Sequence, residues 1–108
     1  MKTAEIIYRQ MGGNRFQAMT GAHHFLADGN SLRMQIPRNA SKANRLTVTL
    51  GADDLYTMRF YRYTAGRYNR KTGEWRDDVV TEVAQYEEVY AVNLQSIFTQ
   101  VTGLYTHL

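Results

Sequence analysis

Apolar and polar positions alternate through the middle of the chain. In residues 31–36, Leu32, Met34 and Ile36 fall on one side and Arg33 and Gln35 on the other, the two-residue period of a half-buried strand. Pro37 ends this stretch because it has no N–H to donate to a ladder. Residues 45–50 repeat the pattern, with Leu46, Val48 and Leu50 inward and Thr47 and Thr49 outward. Residues 55–63 form a longer strand, with Tyr56, Met58 and Phe60 on one face and Thr57, Arg59, Tyr61 and Tyr63 on the other. Residues 77–85 give a further strand around Val79, Val80 and Val83. Residues 14–20 also read as a strand, with Phe16 and Ala18 on one side, and it continues irregularly through residues 21–26. Asp28-Gly29-Asn30, residues 38–44 and residues 51–54 have the small and polar composition of turns and loops.

Two segments have helical spacing. Thr3 is suited to cap a helix over residues 4–11, with Ile6, Ile7, Gln10 and Met11 near one face and Gly12-Gly13 closing it. Near the C-terminus, Tyr90, Leu94, Ile97, Phe98 and Val101 make one apolar stripe on a helix over residues 87–102, stopped by Gly103. Residues 104–108 form an apolar tail suited to packing back on the body. The order is helix, about five antiparallel strands, helix. This predicts an α+β fold in which both helices pack on one face of an antiparallel sheet. No linker or low-complexity run divides residues 1–108, so a single domain is expected.

Composition narrows the class. Hydrophobic residues make up 44% and aromatic residues 12%, enough for a packed core without cross-links. Cysteine is absent, which removes disulfides, thiolate metal sites and cysteine nucleophiles and fits a reducing compartment. The N-terminal residues lack the continuous apolar run of a secretory signal, and no window has the apolar length of a membrane span. A cytoplasmic protein is therefore expected. The net charge of +3 hides a strong asymmetry. Residues 1–76 hold all thirteen Lys and Arg against five acids, a net of +8, whereas residues 77–108 hold five acids and no Lys or Arg, a net of −5. Such segregation points either to a face that binds polyanions or to attraction between the two parts within the fold.

Three stretches carry a resemblance: Gly12-Gly13-Asn14-Arg15-Phe16-Gln17-Ala18-Met19-Thr20-Gly21-Ala22, then Leu32 to Ile36 with Pro37-Arg38-Asn39, then Ser96-Ile97-Phe98 with Thr102-Gly103-Leu104-Tyr105. Together they resemble a family of small proteins encoded by tailed bacteriophages and prophages. The basic stretch from Arg67 to Asp78 is longer here than in that family. The resemblance implies a mobile genetic element acting inside a bacterial host cell, and it brings no activity or catalytic residue with it.

The chemistry lies in a basic and aromatic constellation. If the Leu32, Met34, Leu46, Val48, Met58 and Phe60 side meets the helices, Arg33, Arg45, Arg59, Tyr61 and Tyr63 share the opposite face. Arg67, Tyr68, Arg70, Lys71, Trp75 and Arg76 follow in an exposed connection over residues 65–76, with Lys71-Thr72-Gly73 as its turn. Arginines neutralise phosphates, while Tyr and Trp present flat faces on which unpaired bases stack. The expected function is binding of nucleic acid, single-stranded in preference. The same residues also suit ordinary cross-strand packing and protein interfaces. A module that binds or inhibits a host protein, through the aromatic face or the acidic residues 77–88, is the alternative.

Enzyme chemistry takes a lower place. The pairs Asp53-Asp54 and Asp77-Asp78 could suggest a two-metal nuclease, but each sits beside a turn, where aspartate is favoured for local hydrogen bonds. His23-His24 with His107 could suggest a metal, yet neighbours on a regular strand point to opposite faces. Signatures of serine hydrolases, phosphate loops and dinucleotide binding are absent, and no cofactor is implied. The polar face of the last helix carries Asn93, Gln95, Ser96, Thr99 and Gln100 with no charge, which suits a homodimer contact.

Overall fold

A computed structural model describes residues 2–106. Helix α1 (Lys2–Met11) is followed by α2 (Gly13–Thr20), then strands β1 (His23–Asp28), β2 (Ser31–Gln35), β3 (Arg45–Leu50) and β4 (Tyr56–Thr64). A small hairpin of β5 (Arg67–Asn69) and β6 (Glu74–Arg76) precedes β7 (Val79–Val89). A short 3-10 turn (Ala91–Asn93) leads into α3 (Leu94–Thr102). The main sheet has five antiparallel strands in the order β1-β2-β3-β4-β7. The α+β class, the five-stranded antiparallel sheet and the N- and C-terminal helices are as expected.

The strand alternation creates the core directly. Leu32, Met34, Leu46, Val48, Met58 and Phe60 are buried on one sheet face, beneath Ile7 and Met11 of α1, Phe16 of α2, and Leu94 and Phe98 of α3. Phe98 is the central piece: its ring meets Phe16 edge-on at 4.9 Å and lies 6.3 Å from Phe60. In α1 the inward face is Ala4, Ile7 and Met11, while Ile6 and Gln10 are exposed. Ile7 and Met11 of the expected face are thus buried, and Ala4 joins them in place of Ile6 and Gln10.

Three assignments from the sequence are corrected. Residues 14–20 form α2, not a strand: Phe16 and Thr20, four apart, are buried, while Ala18 is exposed. Gly12 (φ 124°) and Gly13 (φ 63°) reverse the chain between α1 and α2, and a Cβ on Gly12 would come within 2.9 Å of Phe16 Cβ. Thr20 Oγ1 donates to the Phe16 carbonyl at 2.7 Å and accepts from Ala22 N–H at 3.1 Å, with Gly21 left-handed behind it. The same device closes α3, where Thr102 Oγ1 donates to the Phe98 carbonyl at 2.7 Å ahead of left-handed Gly103.

The second correction concerns residues 87–93. The last strand runs on to Val89, and α3 begins only at Leu94. Tyr90 is therefore exposed rather than part of the helical stripe, and Leu94 and Phe98 carry the burial. Third, the β1–β2 ladder breaks between His23 and Leu26, with His24 at φ 54°. This bulge sets the His23 and His24 rings edge-on at 4.7 Å instead of on opposite faces. His107 lies outside the described residues, as does the end of the expected tail.

Candidate functional site

Strands β4 and β7 pair as far as Thr64 and Val79, whereas β3 stops opposite Tyr61. A two-stranded ribbon thus leaves the sheet, and β5–β6 continues it as an arm with Arg67 opposite Arg76, Tyr68 opposite Trp75 and Asn69 opposite Glu74. The molecule extends 50 Å by 31 Å by 22 Å. The turn is built locally: Asn69 Oδ1 accepts from Lys71 N–H at 2.9 Å, and left-handed Gly73 donates to the Asn69 carbonyl at 2.8 Å. Every residue from Arg67 to Arg76 is exposed.

Pairing sorts the arm into two faces, because cross-strand partners share a side and successive residues alternate. Tyr68 and Trp75 sit together on one face, 58% and 63% exposed. Arg67 and Arg76 share the other with Asn69 and Glu74, lining a small cavity of about 230 Å³. Trp75 Nε1–H donates to Asp77 Oδ1 at 3.1 Å, which fixes one edge of the indole and leaves the ring available.

The root of the arm is held by one carboxylate. Asp78 accepts from the Tyr63 hydroxyl at 2.7 Å and from Gly66 N–H at 2.6 Å. The Tyr63 hydroxyl, and then the Gly66 amide, hold the Asp78 carboxyl below the ordinary aspartate range; the same hydrogen bond raises the Tyr63 phenol.

The sheet face differs from what the sequence suggested. Tyr61 is only 7% exposed, with the Arg59 guanidinium 4.3 Å from its ring centre. Arg59 in turn grips Glu82 of β7, Nε donating to both carboxylate oxygens at 2.9 and 2.8 Å and Nη2 donating to Oε2. This pairing lowers the Glu82 carboxyl and raises Arg59. Arg33 pairs with Asp28 at 3.1 Å, and Arg45 lies 5.1 Å above the Tyr63 ring. Tyr61 is thus withdrawn from stacking in this conformation, and Arg33 and Arg59 already hold carboxylates. Part of the charge asymmetry is neutralised between β4 and β7.

Of the residues singled out, Arg67, Tyr68, Arg70, Lys71, Trp75 and Arg76 are brought together on the arm, and Arg33, Arg59, Tyr61 and Tyr63 on the sheet. Among the described residues, ion pairs join Arg33 to Asp28 and Arg59 to Glu82, and none reaches the arm's cations. Sequence reasoning missed another group, Arg38, Lys42 and Arg62, gathered around a cavity beside the end of β4. Their separation along the chain gives no signal, and Arg62 shares the parity of core residues Met58 and Phe60. No group of three or more His, Asp or Glu among the described residues is placed to hold a metal. No helix among them is long and apolar enough to cross a membrane.

Comparison with known proteins yields no match to a family model, a curated protein or a solved structure.

Proposed function

We propose that this chain is a small accessory protein of bacteriophage type that binds single-stranded nucleic acid through the β5–β6 arm. The observation that carries the reading is the arm itself: a paired, exposed Tyr68 and Trp75 backed by Arg67, Arg70, Lys71 and Arg76, which form no ion pair with a carboxylate of the described residues. The aromatic pair offers bases a stacking platform, and the cations neutralise the phosphates that flank it. Arg59, gripping Glu82 over the Tyr61 ring, and Tyr63, bonded to Asp78, become the framework that orients the ribbon, while Arg33 stays paired with Asp28 between β1 and β2. This is a binding role rather than an enzymatic one, in the cytoplasm of a bacterial host.

Labelled single-stranded DNA and RNA titrated across a salt series test it. With about four phosphates neutralised, log affinity falls against log salt with a slope near −3. Trp75→Ala weakens binding by roughly fivefold to 150-fold, the value of one stacked base. Trp75 is the single tryptophan, so quenching of intrinsic emission reports contact at the arm. Absence of binding at low salt ends the proposal.

One observation favours a protein partner as a second reading. Strand β7 is an open sheet edge of eleven residues on which Val79, Val80 and Val83 are exposed beside Glu82. Such an edge can accept a strand from another chain. A host protein retained from nuclease-treated lysate and lost on Val80→Lys supports it. The uncharged α3 face, flanked by exposed Val92 and Tyr105, keeps a homodimer in the proposal, with sedimentation as the check.

A further inference from the structure

The segment from Pro37 to Asn44 reads as a plain loop, yet it is tied down throughout its length. Ala40 N–H donates to the Thr102 carbonyl at the end of α3, and Asn44 N–H donates to the Tyr61 carbonyl, each at 3.0 Å. Asn39 Nδ2 donates to the carbonyls of Pro37 and Ala43 at 2.8 Å, while Asn39 Oδ1 accepts from Ser41 N–H at 2.9 Å. The Asn44 side chain pairs with the Tyr63 backbone in both directions, at 2.9 and 2.8 Å. A slack connection would need none of this.

Within the loop Lys42 adopts φ 71°, a left-handed conformation that disfavours any residue with a Cβ. Its carbonyl accepts from Arg62 Nη1 at 2.9 Å, so Arg62 reaches from β4 to the loop. The result is an open cavity of about 650 Å³ lined by Arg38, Lys42 and Arg62 with Asn39 and Asn44 and by no acidic side chain. Concave walls that carry charge of one sign focus the potential and draw in counter-ions. Guanidinium groups match phosphate oxygens two at a time, and an ammonium adds a mobile point charge.

We infer that this cavity is a phosphate-binding site, formed by Arg38 and Lys42 on a loop that Arg62 and the Asn side chains hold in place. Phosphate is the shared chemistry of two sources, a free phosphorylated small molecule and the backbone of a strand. Arg62 lies five residues before Arg67, so a strand on the arm passes the cavity's end of the ribbon. The inference stands apart from the arm reading, because it requires neither Tyr68 nor Trp75.

The test uses the full chain, the Arg38→Gln/Lys42→Gly double variant and Trp75→Ala. Glycine suits the left-handed backbone at position 42, so Lys42→Gly removes the charge while relaxing the loop. Sodium pyrophosphate and a labelled single-stranded oligonucleotide are titrated calorimetrically at matched ionic strength, with chloride as control. Saturable pyrophosphate binding that the double variant weakens by at least about tenfold and Trp75→Ala leaves intact supports a free phosphorylated ligand. A comparable loss confined to the oligonucleotide supports a strand backbone as the source. Pyrophosphate binding without any oligonucleotide binding retires the arm reading and leaves this one standing. If neither ligand distinguishes the double variant from the parent chain, whatever its melting temperature, the inference is overturned.

Discussion

Replacing Gly66 by alanine tests whether the arm's direction is set at its root. A Cβ at Gly66 would overlap the carbonyl oxygen of Arg76 and stand 2.9 Å from the carbonyl carbon of Asp77. Both neighbours are backbone, so no rotamer change relieves the crowding. Ordinary carbon–carbon spacing starts near 3.5 Å, so the Asp77 contact must open by about 0.6 Å, and the oxygen must move further. Overpacking of this kind costs about 1–3 kcal/mol where the surroundings cannot yield. Here they can yield by releasing the Gly66 N–H bond to Asp78 and swinging β5–β6 away from the ribbon. The strain is then confined to the arm. Gly66→Ala should lower the thermal midpoint by less than about 4 °C, the lower end of what 1 kcal/mol produces in a small domain. It should also reduce the fluorescence anisotropy of Trp75 and weaken oligonucleotide binding. Unchanged Trp75 anisotropy and unchanged affinity would refute the reasoning about the root. A midpoint fall well beyond this limit would show that the arm and the core melt as one unit.

Three further outcomes follow from the side-chain arrangement. Arg59→Gln should leave the salt slope of oligonucleotide binding unchanged, because Glu82 already occupies the guanidinium, whereas Arg70→Gln should reduce the slope by about 0.7. Asp78 and Glu82 bind protons less readily folded than unfolded. The stability they supply is complete above ordinary carboxyl values, near pH 4, and declines as pH falls through those to the lower folded values. The Gly66 amide resonance followed from pH 7 to pH 2 should report this loss at the arm root, and Asp78→Ala should abolish the transition there. Phe98→Ala removes a fully buried ring that meets Phe16 and Phe60, and should cost about 3–5 kcal/mol in a urea titration. A loss below 1 kcal/mol would mean that the helices are not packed on the sheet through this residue.

The places where the sequence misled have physical causes. Phe16 and Ala18 suggested alternation, but alanine gives little evidence of a buried side. The better signal was the pair of matching strings, Phe16 to Thr20-Gly21 and Phe98 to Thr102-Gly103, each a helix end in which Thr bonds back one turn before a left-handed glycine. Tyr90 fell into register with Leu94 by spacing alone, although the acidic and β-branched residues before it continue the strand. On the sheet face, alternation placed Arg59 and Tyr61 on the correct side. It carried no information about the carboxylate opposite, since the pairing of Arg59 with Gln85 and Tyr61 with Glu82 comes from a strand more than twenty residues later.

The sequence by itself determined the sheet's inner face, the turns and the exposed hairpin with its Tyr, Trp and cations. Those features depend on periodicity and turn chemistry within a few residues. Tertiary structure alone decided which charges remain free. Folding sets β7 beside β4, so Glu82 quenches Arg59 and Asp78 anchors the arm. It also carries the loop at 37–44 against the end of β4, where Arg38, Lys42 and Arg62 surround a cavity that no carboxylate of the described residues lines. Charge neutralisation depends on distances of a few ångströms between segments far apart in the chain, and local pattern does not encode those distances.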